Sequence, residues 1–195
     1  MKMNLTIKSI WGFLVAFILF SGCQTSQHLT AESDKGGKIK DTGLRVVPFV
    51  ELSRYLGTWY EIARYPHSFE ENCYASQANY SLRDDGDIRV INRCWTGGFD
   101  GKLNEAEGKA WIVDKTTNAK LKVQFFWPFS GQYWVIALDT EYQYAVVGHP
   151  SRKYLWVLNR SQNMDPQLYE TLLHIIEQQG YDLTKLIITP QPKDF

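Results

Sequence analysis

The 195-residue sequence predicts an all-β fold: an eight-stranded antiparallel up-and-down β-barrel with one C-terminal α-helix packed outside it. Three observations carry that expectation. Eight short apolar or alternating runs follow one another between residues 58 and 159. The breaks between them are short and carry turn chemistry, so each strand can reach the next as an antiparallel neighbour. A helical period appears convincingly only after the last run, over residues 166–179. Closing such a sheet removes the edges that would otherwise aggregate. Composition narrows the function. Lys plus Arg and Asp plus Glu both number 21, which argues against a nucleic-acid groove or polybasic arm. Aromatic residues make up 14% of the chain, enough for a generous core or a lined cavity. Three cysteines are too few for a disulfide scaffold or a four-cysteine zinc site.

The N-terminus reads as an address. Lys2 and Lys8 precede an uncharged apolar run over residues 10–20. A spanning helix needs roughly 20 apolar residues, so this shorter run reads as the core of a signal peptide. Ser21, Gly22 and Cys23 then resemble the bacterial lipobox, in which the cysteine is lipidated and becomes the mature N-terminus. Phe20 departs from the aliphatic residue usual there. Gln24 is not Asp, which in that resemblance implies outer-membrane retention. An ordinary secretory signal with a nearby cysteine would share the charge and hydropathy pattern. The division is therefore a lipoprotein signal peptide at 1–22, a polar flexible tether at 23–43 and a folded domain at 44–195. Removing 1–22 takes away two lysines and no acid, so the mature chain carries two net negative charges.

The strands are expected at 58–64, 76–82, 87–93, 105–113, 119–126, 133–139, 144–148 and 154–159. Asp85-Gly86 between two alternating runs is a strong hairpin signal. Residues 114–118, Ser130-Gly131-Gln132 and 149–152 supply later breaks. Asp165 is placed to cap the helix, Pro166 to occupy its first position and Gly180 to stop it. Leu168, Leu172, Ile175, Ile176 and Gln179 share one helical face, which suits packing on the sheet. The polar face carries no Lys or Arg, so a membrane-surface role is disfavoured. Residues 185–189 read as a short closing strand.

Three segments carry a family resemblance. Gly57-Thr58-Trp59, entering the first strand, resembles the lipocalin Gly-x-Trp signature. Asp139-Thr140-Glu141-Tyr142 resembles the second lipocalin motif, with Glu141 where Thr-Asp-Tyr is usual. Trp156-Val157-Leu158-Asn159-Arg160 resembles the third. The motifs stand in family order, and the resemblance spans residues 44–192. Within the family, 60–64, 79–86 and 135–139 are similar to the bacterial lipocalin (outer-membrane lipoprotein) and apolipoprotein D-like group. The resemblance implies a calyx that stores or transports membrane lipids.

The residues make sense on physical grounds as well. A barrel that holds a ligand needs a plug at one end. Gly57 can turn the chain sharply, Trp59 can seal the floor, and Arg160 can lay its guanidinium across the indole. Glu61 shares the inward face with Trp59 and is expected to join a floor network. Burial there would raise its pKa and could make it an acid. Cys73 and Cys94 flank the hairpin turn at similar distances, so they are expected to pair in an oxidising periplasm. Two free buried thiols are the alternative.

Other chemistry is sparse. His28, His67, His149 and His174 have no ligand spacing, and no metal site is expected. No nucleophile elbow or phosphate loop is present, so no cofactor is expected. The aromatics Trp95, Phe99, Trp111, Phe125, Phe126, Trp127, Phe129, Tyr133, Trp134 and Trp156 point to a hydrophobic cavity. Phe126-Trp127-Pro128-Phe129 is either a rim of that cavity or an extension of a strand. Alternation nominates Ser76, Ala78 and Tyr80 as one ligand-facing set, and Tyr133, Val135 and Ala137 as another. The expected function is binding of a fatty acid or lysophospholipid by a lipid-anchored outer-membrane protein, periplasmic in orientation. The alternatives are an enzyme using Glu61 on a hydrophobic substrate, and an anchored interaction protein whose cavity is self-filled. The sequence leaves a homodimer open.

Overall fold

A computed structural model of the chain describes residues 43–192. The leader, Cys23 and nearly all of the tether lie outside the described residues. Eight strands form the barrel: β1 (Gly57–Arg64), β2 (Cys73–Leu82), β3 (Ile88–Thr96), β4 (Lys102–Ile112), β5 (Lys120–Phe126), β6 (Phe129–Leu138), β7 (Tyr144–Gly148) and β8 (Leu155–Asn159). A short helix α1 (Leu52–Tyr55) leads into β1, and α2 (Pro166–Gln178) follows β8. Each strand pairs antiparallel with the next, and β1 closes the ring by pairing with both β2 and β8.

Closure has a seam. The lower part of β1 pairs with β2, in register Gly57 with Tyr80 through Tyr60 with Gln77. Higher up, the C-terminal strand β9 (Ile187–Ile188) takes that edge, pairing with Ala63 and Arg64. The segment continues between the two strands: Thr189 N donates to Ile62 O at 3.0 Å, and Ala75 N to Pro190 O at 2.8 Å. The amide of Gln191 then bridges the carbonyls of Glu61 and Ser76, at 2.8 and 3.0 Å. The expected closing strand is thus shorter than its sequence run, and it satisfies backbone groups that β1 and β2 leave as they diverge.

The helix forms as its sequence signals dictate. Asp165 accepts from the amides of Gln167 and Leu168, both at 2.9 Å, and Gly180 takes φ +81° beyond the last turn. Leu172 and Ile176 are fully buried against Trp134, Val146, Leu155 and Val157 on the outside of the barrel. A second core fills the barrel's lower half, with Trp59, Tyr80, Val90, Leu121, Val135 and Val147. Period-two alternation sorts residues between the two cores: Ala145 and Val147 point inward, Val146 outward.

Two expectations are corrected. Ser130-Gly131-Gln132 is no turn; it lies within β6, where Gly131 pairs with Val123. The hairpin turns instead at Trp127-Pro128, between paired Phe126 and Phe129, where proline's missing N–H leaves no ladder bond unmade. Ala137 does not face the interior. A β-bulge between Val135 and Ala137 breaks alternation, and Ala137 packs in the helix-facing core with Trp134 and Ile136.

Candidate functional site

The ends of the barrel differ. At one end lie α1, the 83–87 turn, the 113–119 turn and the 139–143 turn; at the other lie the connections 65–72, 97–101, 127–128 and 149–154. The first end is sealed around Trp59, which has no exposed surface. Its indole N–H donates to Tyr55 O at 2.8 Å, and the Arg160 guanidinium carbon stands 3.8 Å from the ring centroid. Such stacking contributes about 0.5–2 kcal/mol. Arg160 also donates to the carbonyls of Arg54, Leu56 and Thr58 at 2.8–2.9 Å, and to Tyr142 O at 3.2 Å. One side chain therefore ties together α1, the start of β1 and the β6–β7 turn. Gly57 runs through this knot at φ +93°, and a Cβ there would meet Arg160 Nη1 at 3.4 Å.

Above the plug stands a row of phenols. Tyr133 shares hydrogen bonds with Tyr55 at 2.8 Å and with Tyr80 at 2.9 Å. Burial pushes the Tyr80 phenol up to about 12 and raises Tyr55 and Tyr133 as well, so all three stay neutral. They form the base of a cavity of about 510 Å³ that opens at the far end. That size falls within the roughly 300–1,000 Å³ of small-molecule sites. The cavity is therefore not filled by the protein's own side chains.

Ser76, Ala78, Tyr80 and Tyr133 come together on its wall. Val135 lies in the packed core beneath, and Ala137 lies outside under the helix. Alternation also brings Val90, Asn92, Ala106, Val123 and Phe125 inward, residues legible once the phase of β2 is carried to its neighbours. The aromatic surplus divides. Phe125, Phe126, Phe129, Tyr133 and Trp156 reach the cavity, whereas Trp134 packs under α2 with Lys120 over its ring at 4.7 Å. Phe126, Trp127 and Phe129 form an apolar lip, 77%, 86% and 77% exposed. The tetrapeptide is thus both a rim and a strand extension. Towards the open end of β2 and β3, a Cys73–Cys94 disulfide joins the two strands with a Cα–Cα distance of 5.4 Å.

Glu61 belongs to a network, but not that of the floor. Two residues of strand lift it about 7 Å above Trp59. There its carboxylate accepts from the Thr189 hydroxyl at the seam, with Arg64 Nε at 3.5 Å. Arg64 Nε also lies 3.1 Å from Glu70, and His67 Nε2 lies 3.2 Å from the same Glu70 oxygen. Burial, then the charge of Glu70, raises the Glu61 carboxyl well above its ordinary range. Burial works upward on Glu70 too, but His67, Glu61 and Arg64 outweigh it and hold that carboxyl low. Arg64, His67, Glu70 and Thr189 escaped sequence reading. They come from strand end, connection and C-terminus, and no local period unites them. Among the described residues no cluster of ligating side chains suits a metal ion.

A closed antiparallel barrel, plugged at one end and open to an apolar cavity at the other, defines a protein built to hold a small hydrophobic ligand. A lipocalin-like domain model matches residues 50–191, and the chain belongs to the lipocalin family. It is 45% identical over 150 residues to the outer membrane lipoprotein Blc of Escherichia coli K12, covering 77% of this chain and 84% of that protein. It is 41% identical over 157 residues to temperature-induced lipocalin-1 of Arabidopsis thaliana, covering 76% and 83%. Bovine (Bos taurus) apolipoprotein D is 37% identical over 149 residues, covering 72% and 77%. Among solved structures, insecticyanin of the tobacco hornworm Manduca sexta superposes with a TM-score of 0.60 at 23% identity, covering 78% of this chain and 84% of that one. That likeness concerns the fold.

Proposed function

We propose that the protein is a lipid-anchored lipocalin of the bacterial outer membrane that binds and stores or transports one amphipathic lipid, a fatty acid or lysophospholipid. The open, apolar cavity above a sealed floor carries this reading. Burying an acyl chain there at about 25 cal/mol per Å² supplies affinity with little demand for polar precision. Similarity to outer membrane lipoproteins supports the location, and Cys23 is the residue proposed to bear the anchor on the periplasmic side. The exposed lip of Phe126, Trp127 and Phe129 suits exchange of ligand with a bilayer.

Native mass spectrometry of the delipidated protein with palmitate or a palmitoyl lysophospholipid tests the reading; one lipid per chain is expected at micromolar concentration, and no complex would sink it. Cys23→Ala should release the protein from membranes, and unchanged retention would refute the anchor. Glu61, buried on the cavity wall with its carboxyl raised above the ordinary range, favours one second reading, an acid acting on a bound substrate. Turnover of a bound lipid that disappears in Glu61→Gln would establish it; binding without turnover in the parent protein would reject it.

A further inference from the structure

The cavity wall is not uniform. Where β9 enters the seam, Glu61, Glu70 and Ser76 reach the cavity from β1, the 65–72 connection and β2. All three present oxygen. Ser76 is 4% exposed and its hydroxyl has no hydrogen-bond partner; one Glu70 oxygen has ionic neighbours but no aligned hydrogen bond. Arg64 and His67 stand behind these oxygens and do not line the cavity. Elsewhere on the lining, among the described residues, the basic groups are Arg93 and His149. Arg93 is held by Glu105 at 2.5 Å, and burial lowers the His149 pKa, leaving the ring neutral at pH 7. The cavity therefore offers oxygen acceptors on one wall, with the Glu70 carboxylate ion-paired to Arg64, and apolar surface across most of the rest.

We propose that this wall is a head-group subsite, in which Glu61, Glu70 and Ser76 receive the primary ammonium of an amphipathic ligand whose chain fills the apolar cavity. The inference rests on the lipid-binding reading above and narrows it. Charge-assisted hydrogen bonds from an ammonium to carboxylates are roughly twice as strong as neutral ones. A carboxylate head placed there would face Glu70 with no unpaired cation on the lining. The groups facing Glu61 are Arg64 on its own strand, Glu70 and His67 from the connection, Thr189 from the seam and Tyr80 from β2. Arrival of a cation among them favours the ionised carboxyl. A proton held by Glu61 then passes to the buffer, and the ammonium takes its place.

The test is titration calorimetry of the purified full chain at pH 7 with dodecylamine, dodecanol and dodecanoate, each below its aggregation concentration. Phosphate and Tris buffers, which differ in ionisation heat, count the protons. Dodecylamine should bind about tenfold tighter than dodecanol, with dodecanoate weakest. Amine binding should release up to about one proton per chain, and alcohol binding none. Glu61→Gln should abolish that release and reduce the amine preference; Glu70→Gln should reduce the preference too, and it carries the test if the first variant does not fold. Equal affinity for the three probes overturns the subsite while leaving the lipid-binding reading intact. An amine preference that survives both substitutions also overturns it. Failure of all three to bind overturns both.

Discussion

The two ends of this barrel are built from the same kinds of side chain and use them in opposite ways. At the closed end Tyr55, Trp59 and Tyr133 have each found a partner for every polar atom, and the rings lie inside a packed core. At the open end Phe126, Trp127 and Phe129 stand in solvent with no ring partner among the described residues. What separates them is supply of partners. Arg160, the α1 carbonyls and three turns converge on the floor, whereas hairpin tips, the 65–72 connection and the C-terminal segment reach towards the mouth. Aromatic content alone says nothing about burial; position along the strand decides it.

The largest test of that contrast is Trp59→Ala. Emptying the floor should cost about 3–5 kcal/mol in urea unfolding. A cost below about 1 kcal/mol would mean that the floor is not the stability centre described here. Next, Cys94→Ser should cost about 3 kcal/mol under oxidising conditions, because the bridge closes a 21-residue separation in the unfolded chain. The same substitution measured with reductant present in both proteins should cost far less. That would assign the mouth's stability to the cross-link rather than to packing.

The wall between the two ends responds to pH. Glu61 titrates higher folded than unfolded, so its contribution is complete at low pH and is lost as pH rises above the ordinary carboxylate range. Glu70 titrates lower folded, so its contribution is lost as pH falls through its depressed pKa. Melting temperature should therefore decline on the alkaline side, and Glu61→Gln should flatten that limb while keeping the acid one. A parallel shift of the whole curve would contradict the assignment. The smallest stability effect belongs to the lip: Phe126→Ser with Trp127→Ser should change unfolding by no more than about 0.5 kcal/mol per site. The same pair should weaken binding of the protein to lipid vesicles, read by sedimentation; a large loss of stability with unchanged vesicle binding would turn the comparison upside down.

Much of the fold is legible locally. The Asp85-Gly86 turn, the Asp165 cap with Pro166, and the Leu172/Ile176 stripe each act within a few residues, and each forms as read. Alternation placed Ser76, Ala78 and Tyr80 on the cavity wall for the same reason. It failed for Ala137 because a bulge adds one residue to β6, and every later side chain changes face. It misjudged Ser130-Gly131-Gln132 because turn-prone residues pair as strand when the partner strand runs far enough beside them.

The sequence by itself determined the order of strands, the outer helix, the residues of the plug and the cysteine pair. The strands, helix and cysteine pair rest on periodicity, turn chemistry and spacing, and the plug residues on the lipocalin motifs they resemble, all carried within short segments. Only the tertiary structure decided that the C-terminus enters the seam and sets Thr189 against Glu61. It alone brought Glu70 and His67 over the same wall and left a cavity above the tyrosines. Those groups are separated by up to 128 residues, and a buried charge takes its properties from neighbours in space, which no local pattern encodes.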